Sequence, residues 1–224
     1  LSTRFDGIDD FVDLGNPTSL QFTSSFSISL WFKTTSTSDS ILISKDKTNG
    51  HLTNERSWGL WDNRFGVTNR IVFAIFSSGS AFTAVSTSDY NDGNWHHVVA
   101  TYEASTAIKV YVDGSLEDTN TTSIPSSINN VPTNVNIGRS TSNSFYMDGN
   151  IDEVGLFNSE LSASDVTAIY GSGAPTDLSS YSSLISWWRM GDGDTFPTLS
   201  DNKGSNDGTM TNMTSGNIVT DVPT

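Results

Sequence analysis

Carboxylates dominate the charged side chains of this sequence, and their spacing decides what chemistry they could do. Of 25 acids only five are glutamates, at Glu55, Glu103, Glu117, Glu153 and Glu160. Retaining hydrolysis of a glycosidic bond needs two carboxyls about 5 Å apart, one of them held protonated. No glutamate here pairs with another two or four positions along a strand. Glu153 follows Asp152, and neighbours on a strand face opposite ways. The aspartate pairs Asp9-Asp10 and Asp192/Asp194 read as turn residues. Hydrolysis by paired carboxyls is therefore not expected. His96 and His97 are adjacent, so on a strand they cannot share one metal. His97 is expected at the core edge, bonded to backbone, and His96 on the opposite face.

Sugar binding asks for aromatic faces beside polar groups on a shallow surface. Trp31 and Tyr111 are candidates, with Lys109 as a hydrogen-bond donor between strands. Trp58 and Trp61 flank a long polar loop, Lys45–Ser57, that also holds His51. Trp187-Trp188 must put one ring on each face if extended. Most of the six tryptophans are expected to pack the core or cover its rim.

The elements that must position these groups are strands. Phe26, Ile28, Leu30 and Phe32 alternate with Ser27, Ser29, Trp31 and Lys33, the pattern of a half-buried strand. Residues 94–102 and 107–112 form two extended runs around Glu103-Ala104-Ser105-Thr106, a predicted hairpin. If Tyr102 pairs with Ala107, Val99 lies opposite Val110 and Thr101 opposite Ile108, a core face ending at Trp95. Val98, Lys109 and Tyr111 then look outward. Residues 117–134 read as a meandering connection. Ser162, with Asp165 three residues on and Val166, Ile169 and Tyr170 following, predicts one short helix over 162–170, stopped by Gly171.

At 224 residues and net charge −14, the chain can bury a sizeable core and should repel nucleic acid and anionic membranes. It has no cysteine, and its longest apolar run, Ile71–Phe76, is far too short to span a bilayer. Neither nucleic acid binding nor membrane insertion is expected.

Four stretches together resemble one family. They are Phe5-Asp6-Gly7-Ile8-Asp9-Asp10-Phe11-Val12, the strand Phe26–Phe32, the run W-H-H-V-x-x-T-Y followed by V-Y-V-D-G, and Ile137-Gly138-Arg139 with G-N-I-D-E-V at 149–154. In that order they resemble the laminin G-like members of the concanavalin A-like lectin/glucanase superfamily. The resemblance implies an all-β, two-sheet antiparallel jelly-roll sandwich with one short helix. Residues 184–210 resemble the piece that opens typical members, yet here it comes late. One domain over 1–224 is expected, with 176–224 a rotated piece closing it. Many relatives hold one calcium at the sandwich rim, and calcium takes about six to eight oxygens. Asp6, Asp9, Asp10 and Asp152 are the candidate ligands. The loops Asp46–Asn49 and Ser140–Asn143 are where pentraxin-like relatives place calcium.

The expected role is non-catalytic recognition of a glycan or other surface ligand. The rotated piece, the missing cysteine and the acidity resemble laminin G-like modules in virion proteins of tailed phages from saline water. That implies a capsid-surface or tail-fibre module, at the virion surface or extracellular, that holds host polysaccharide and meets other virion proteins. Three alternatives stand beside it. They are a secreted adhesin or carbohydrate-binding module of a marine bacterium, a purely structural virion decoration protein, and a glycan hydrolase or lyase.

Overall fold

The computed structural model describes residues 1–47 and 55–224; residues 48–54, His51 among them, lie outside the described residues. Two antiparallel sheets face each other across the alternating apolar positions. The first sheet runs β10 (Ser115–Asn120), β9 (Ala107–Val112), β8 (His96–Glu103), β3 (Phe26–Lys33), β12 (Asp148–Phe157), β1 (Ser2–Asp6) and β16 (Ile218–Val219), with β13 (Leu184–Trp188) also paired to β12. The second runs β14 (Thr198–Leu199), β15 (Gly208–Thr211), β2 (Phe11–Asp13), β11 (Asn136–Ile137), β4 (Ser40–Asp46), β5 (Arg56–Asp62), β6 (Ile71–Ser77) and β7 (Ser80–Val85). The inner faces give one core, where Phe26, Ile28, Leu30 and Phe32 meet Trp58, Leu60 and Phe73 of the opposite sheet. Two motif glycines are there for space. A Cβ on Gly138 (φ +85°) would stand 2.6 Å from the Phe5 ring, and one on Gly149 would run into the Lys33 carbonyl.

The hairpin forms, but one residue out of the expected register. Glu103 pairs with Ala107, Tyr102 with Ile108 and Val98 with Val112. The loop is therefore three residues, Ala104-Ser105-Thr106, with Ser105 left-handed at φ +63° and Thr106 N–H bonded to Glu103 O at 3.0 Å. A slip of one exchanges the faces of a strand. Val98, Ala100 and Tyr102 enter the core instead of Val99 and Thr101. Lys109 and Tyr111 stay on the outer side, now opposite Thr101 and Val99. The reversal also takes His96 to the inner side and His97 to the outer. Part of the expected connection, Ser115–Asn120, is an edge strand with little apolar alternation to mark it.

The outer face of the first sheet is covered. Helix α1 (Ala163–Tyr170) begins on a capping box between Ser162 and Asp165 and ends at left-handed Gly171. Eight residues cannot hold a helix in water on their own. Val166 and Ile169 are buried against Val99, Tyr111, Leu178 and Trp187, and this burial, about 1.5–3 kcal/mol per side chain, holds it down. Strands of residues 176–224 lie in both sheets: β13 pairs β12, β16 pairs β1, and β15 pairs β2. Trp188 faces the core at 0% exposure and Trp187 the helix side, one ring per face.

Candidate functional site

The four aromatic and basic candidates do not form an open sugar platform. Trp31 and Tyr111 do share one face of one sheet, but α1 lies over it. Trp31 is 3% exposed and stacks on Tyr170 of the helix, centroids 5.8 Å apart, with the His97 ring 5.0 Å away. Tyr111 is 4% exposed. Lys109 Nζ donates to Glu160 Oε1 at 2.6 Å, next to the helix start. Trp58 is fully buried between the sheets. His97 is bound to a side chain, Ser29 Oγ at 2.8 Å from Nε2, where burial drives its pKa down to about 3. Strand register points Trp31, Lys109 and Tyr111 outward but cannot show what a helix after β12 covers, and Trp58, beside the long loop in sequence, turns into the core.

The expected acidic ligands separate into a trio and an outlier. The turn Asp6–Asp10 carries the chain from β1 in one sheet to β2 in the other. Asp6, Asp9 and Asp10 there present carboxylate oxygens that all lie within 4.8 Å of one another. Asp6 Oδ1 accepts from the backbone N–H of Ile8 at 2.8 Å and of Asp9 at 3.3 Å, which folds the turn inward. Burial, then the charge of Asp6, raises the Asp10 pKa; Asn217 opposes this by donating to Oδ2 at 2.8 Å. Two oxygens bound to one calcium at about 2.4 Å each can be at most about 4.8 Å apart. The all-oxygen donor set therefore fits a hard divalent cation.

A pocket of about 410 Å³ opens beside the trio, lined by Arg4, Asp6, Asp10, Asn212, Thr214 and Asn217. Asn212 Nδ2 donates to Asp9 O at 3.0 Å, and Asn217 Nδ2 donates to Arg4 O at 2.9 Å. Sequence reasoning missed this wall. Apart from Arg4 its residues lie some two hundred positions along the chain from the turn, and Asn-rich loops look alike until β15 and β16 bring them to the rim.

Asp152 is apart from the trio. The β1–β12 register sets Asp148, not Asp152, opposite Asp6. Asp152 is 3% exposed, and burial, reinforced by Glu153, raises its pKa to about 8. It is not among the carboxylates that converge at the turn. Of the pentraxin-like loop, Thr48 and Asn49 lie outside the described residues, and Asp46 is already engaged. Asp46 binds Arg56 at 2.8 Å, and its carbonyl accepts from Thr141 N at 3.1 Å; Lys47 begins the part of that loop next to the undescribed residues. Lys45 of the same loop end is buried, donates to Asn16 and Thr133, and is lowered by burial to about 8.

The family model described as the concanavalin A-like lectin/glucanases superfamily, of the laminin G type, matches residues 6–167, and the chain belongs to this family. Among solved structures it resembles a Bacteroides ovatus protein described as carbohydrate binding. That match has a TM-score of 0.68 and 14% identity, over 95% of this chain and 58% of that one. It also resembles a heptameric SAP-like pentraxin of Limulus polyphemus (TM-score 0.57, 12% identity, 75% of this chain and 81% of that). A third is domain 4 of AbnA, a GH43 extracellular arabinanase of Geobacillus stearothermophilus, solved with arabinotriose (0.56, 16%, 75% and 76%). At these identities the likeness is one of fold, which is lectin-like. No curated protein matches the sequence. Among the described residues no helix is long and apolar enough to cross a membrane.

Proposed function

We propose that this chain is a non-catalytic glycan-recognition module that binds at the sandwich rim. The observation that carries the reading is the convergence of Asp6, Asp9 and Asp10 beside a pocket walled by Arg4, Asn212, Thr214 and Asn217. Calcium bound by the trio would neutralise carboxylates that now repel one another and would fix the turn between the sheets. It would also offer open coordination positions to sugar hydroxyls. Arg4 and the asparagines supply donors and acceptors around it. Relatives in fold that are described as carbohydrate binding, or were solved with arabinotriose, support the reading by analogy of architecture.

The setting we propose is display on a phage virion, on the capsid surface or a tail fibre, for attachment to host polysaccharide. The family resemblance of the rotated piece, the acidity and the missing cysteine support it. Weak single sites suit such display, since many copies raise avidity without new contacts. The test is a glycan array probed with and without calcium. Retention by the parent should fall at least tenfold on chelation and in Asp9→Asn. Retention that ignores both removes the rim from the account.

A further inference from the structure

A second cleft lies on the outer side of the first sheet, where β12 changes neighbours. Up to Ile151 β12 pairs with β1, and from Val154 with β13. The changeover bends the backbone, and Glu153 sits there left-handed at φ +49°. This turns a 7%-exposed carboxylate toward the helix side. Its Oε2 accepts from Trp187 Nε1 at 2.6 Å and its Oε1 from Arg189 Nε at 3.3 Å. Above it opens a cleft of about 390 Å³, walled by Pro175, Thr176 and Trp187.

Three polar groups are left at its mouth. Arg189 spends Nε on Glu153 and Nη2 on Asp192, at 2.9 Å, and no protein group among the described residues takes its Nη1. Asn202 is exposed and is fixed by its backbone N–H on Trp187 O at 2.7 Å and by its Nδ2 on Ser200 O at 3.1 Å, so its side-chain oxygen remains as an acceptor. Asp177 is held by Ser179 N–H at 2.8 Å; hydrogen bonds from Ser179 keep its pKa low, and the Arg189 charge adds to this.

This set selects against charged ligands. Arg189 is met by Glu153 and by Asp192, which also holds the Leu1 ammonium. Lys203, whose Nζ donates to Ser179 O at 2.7 Å on the cleft wall, stands against the Asp177 carboxylate. Charges of both signs line the space, so an anion finds no surplus positive charge. A cation meets Arg189. A sugar hydroxyl both donates and accepts, and so can use Arg189 Nη1 on one side and Asp177 or Asn202 on the other. The volume lies at the small end of ligand clefts.

We propose that this cleft is a second glycan subsite, for a neutral saccharide of one or two units, bound by Asp177, Arg189 and Asn202. Glu153 is a positioning residue, orienting Arg189 and Trp187 from below. The inference rests on the glycan-recognition reading but makes no use of the calcium rim.

The test uses the full chain and three neutral trisaccharides, arabinotriose, mannotriose and laminaritriose, with trimers of alginate and of sulfated galactan for comparison. Binding is followed by chemical shifts, including the Trp187 indole N–H. A neutral trimer should shift that signal. Asp177→Ala with Asn202→Ala, both on exposed loops, should weaken the titration read at Trp187 at least tenfold, while Asp9→Asn and chelation, which act on the rim, leave that local titration unchanged. Binding that is lost in Asp9→Asn and kept in the double variant removes the subsite and leaves the rim reading standing. Preference for the acidic trimers at Trp187 overturns the assigned class. No shift with any trimer, together with a blank glycan array, overturns both.

Discussion

Replacing Asp152 by asparagine should stabilise the protein at neutral pH. The carboxyl is 3% exposed, and burial, then Glu153, raises its pKa from 3.8 to about 8. At pH 7 the folded chain therefore holds a proton there that the unfolded chain has released. Some three pH units separate 3.8 from 7, at about 1.36 kcal/mol each, so folding at pH 7 costs on the order of 4 kcal/mol for this group. The sign follows from a raised folded pKa: the stability is fully present below 3.8 and is lost as pH climbs toward about 8. Asparagine fills the same space, never charges, and its Oδ1 can still accept from Glu153 N–H, as Asp152 Oδ1 does at 2.9 Å. In thermal melts the two proteins should agree at pH 4. At pH 7 the variant should melt higher by about 8–16 °C, taking about 2–4 °C per kcal/mol for a chain of this size. A variant that melts lower than the parent at pH 7, with calcium present, would refute the reasoning and return Asp152 to the set of cation ligands.

Three further outcomes are expected. Burial opposes charging of His96, but hydrogen bonds to Asp113 (2.7 Å) and Asp92 (3.1 Å) outweigh it and raise its pKa. The stability it lends is complete below its ordinary pKa of about 6.5 and lost as pH rises through the folded value; in melts from pH 5 to 9, Asp113→Asn should flatten that part of the profile. Trp31→Ala should cost about 3–5 kcal/mol in denaturant titration, as other buried tryptophans do, whereas folded Trp31→Phe should retain glycan like the parent; a Trp31→Phe protein that is stable but has lost its glycan would restore Trp31 as a contact. Deleting residues 176–224 strips β13, β15 and β16 from their partners, so calorimetry should show no cooperative transition; a single transition at the parent's temperature contradicts a shared sandwich.

The fold was legible because its signals are local and repeated. Alternation along Phe26–Lys33, the Ser162/Asp165 cap and the motif order all survive inspection residue by residue. What failed depended on a single count or on distance. The hairpin register turned on whether Ser105 adopts a left-handed conformation, and one residue reversed both faces. Strand register left open whether Trp31 and Tyr111 share a sheet; they do, and the cover over them comes from Tyr170, about sixty residues beyond Tyr111. The trio Asp6, Asp9 and Asp10 was visible as a dense turn. Its neighbours Asn212 and Asn217 were not, because no short-range pattern ties them to it. Glu153 was read by strand alternation, and the change of partner along β12 suspends that rule just there.

The most direct measurement of the central claim is a glycan array probed with the intact chain in calcium, followed by analysis of the retained glycan for cleavage. At least one glycan class should be retained and recovered uncut. A blank array, or retained glycan that is cut by the parent and left whole by a single Asp or Glu variant, contradicts it.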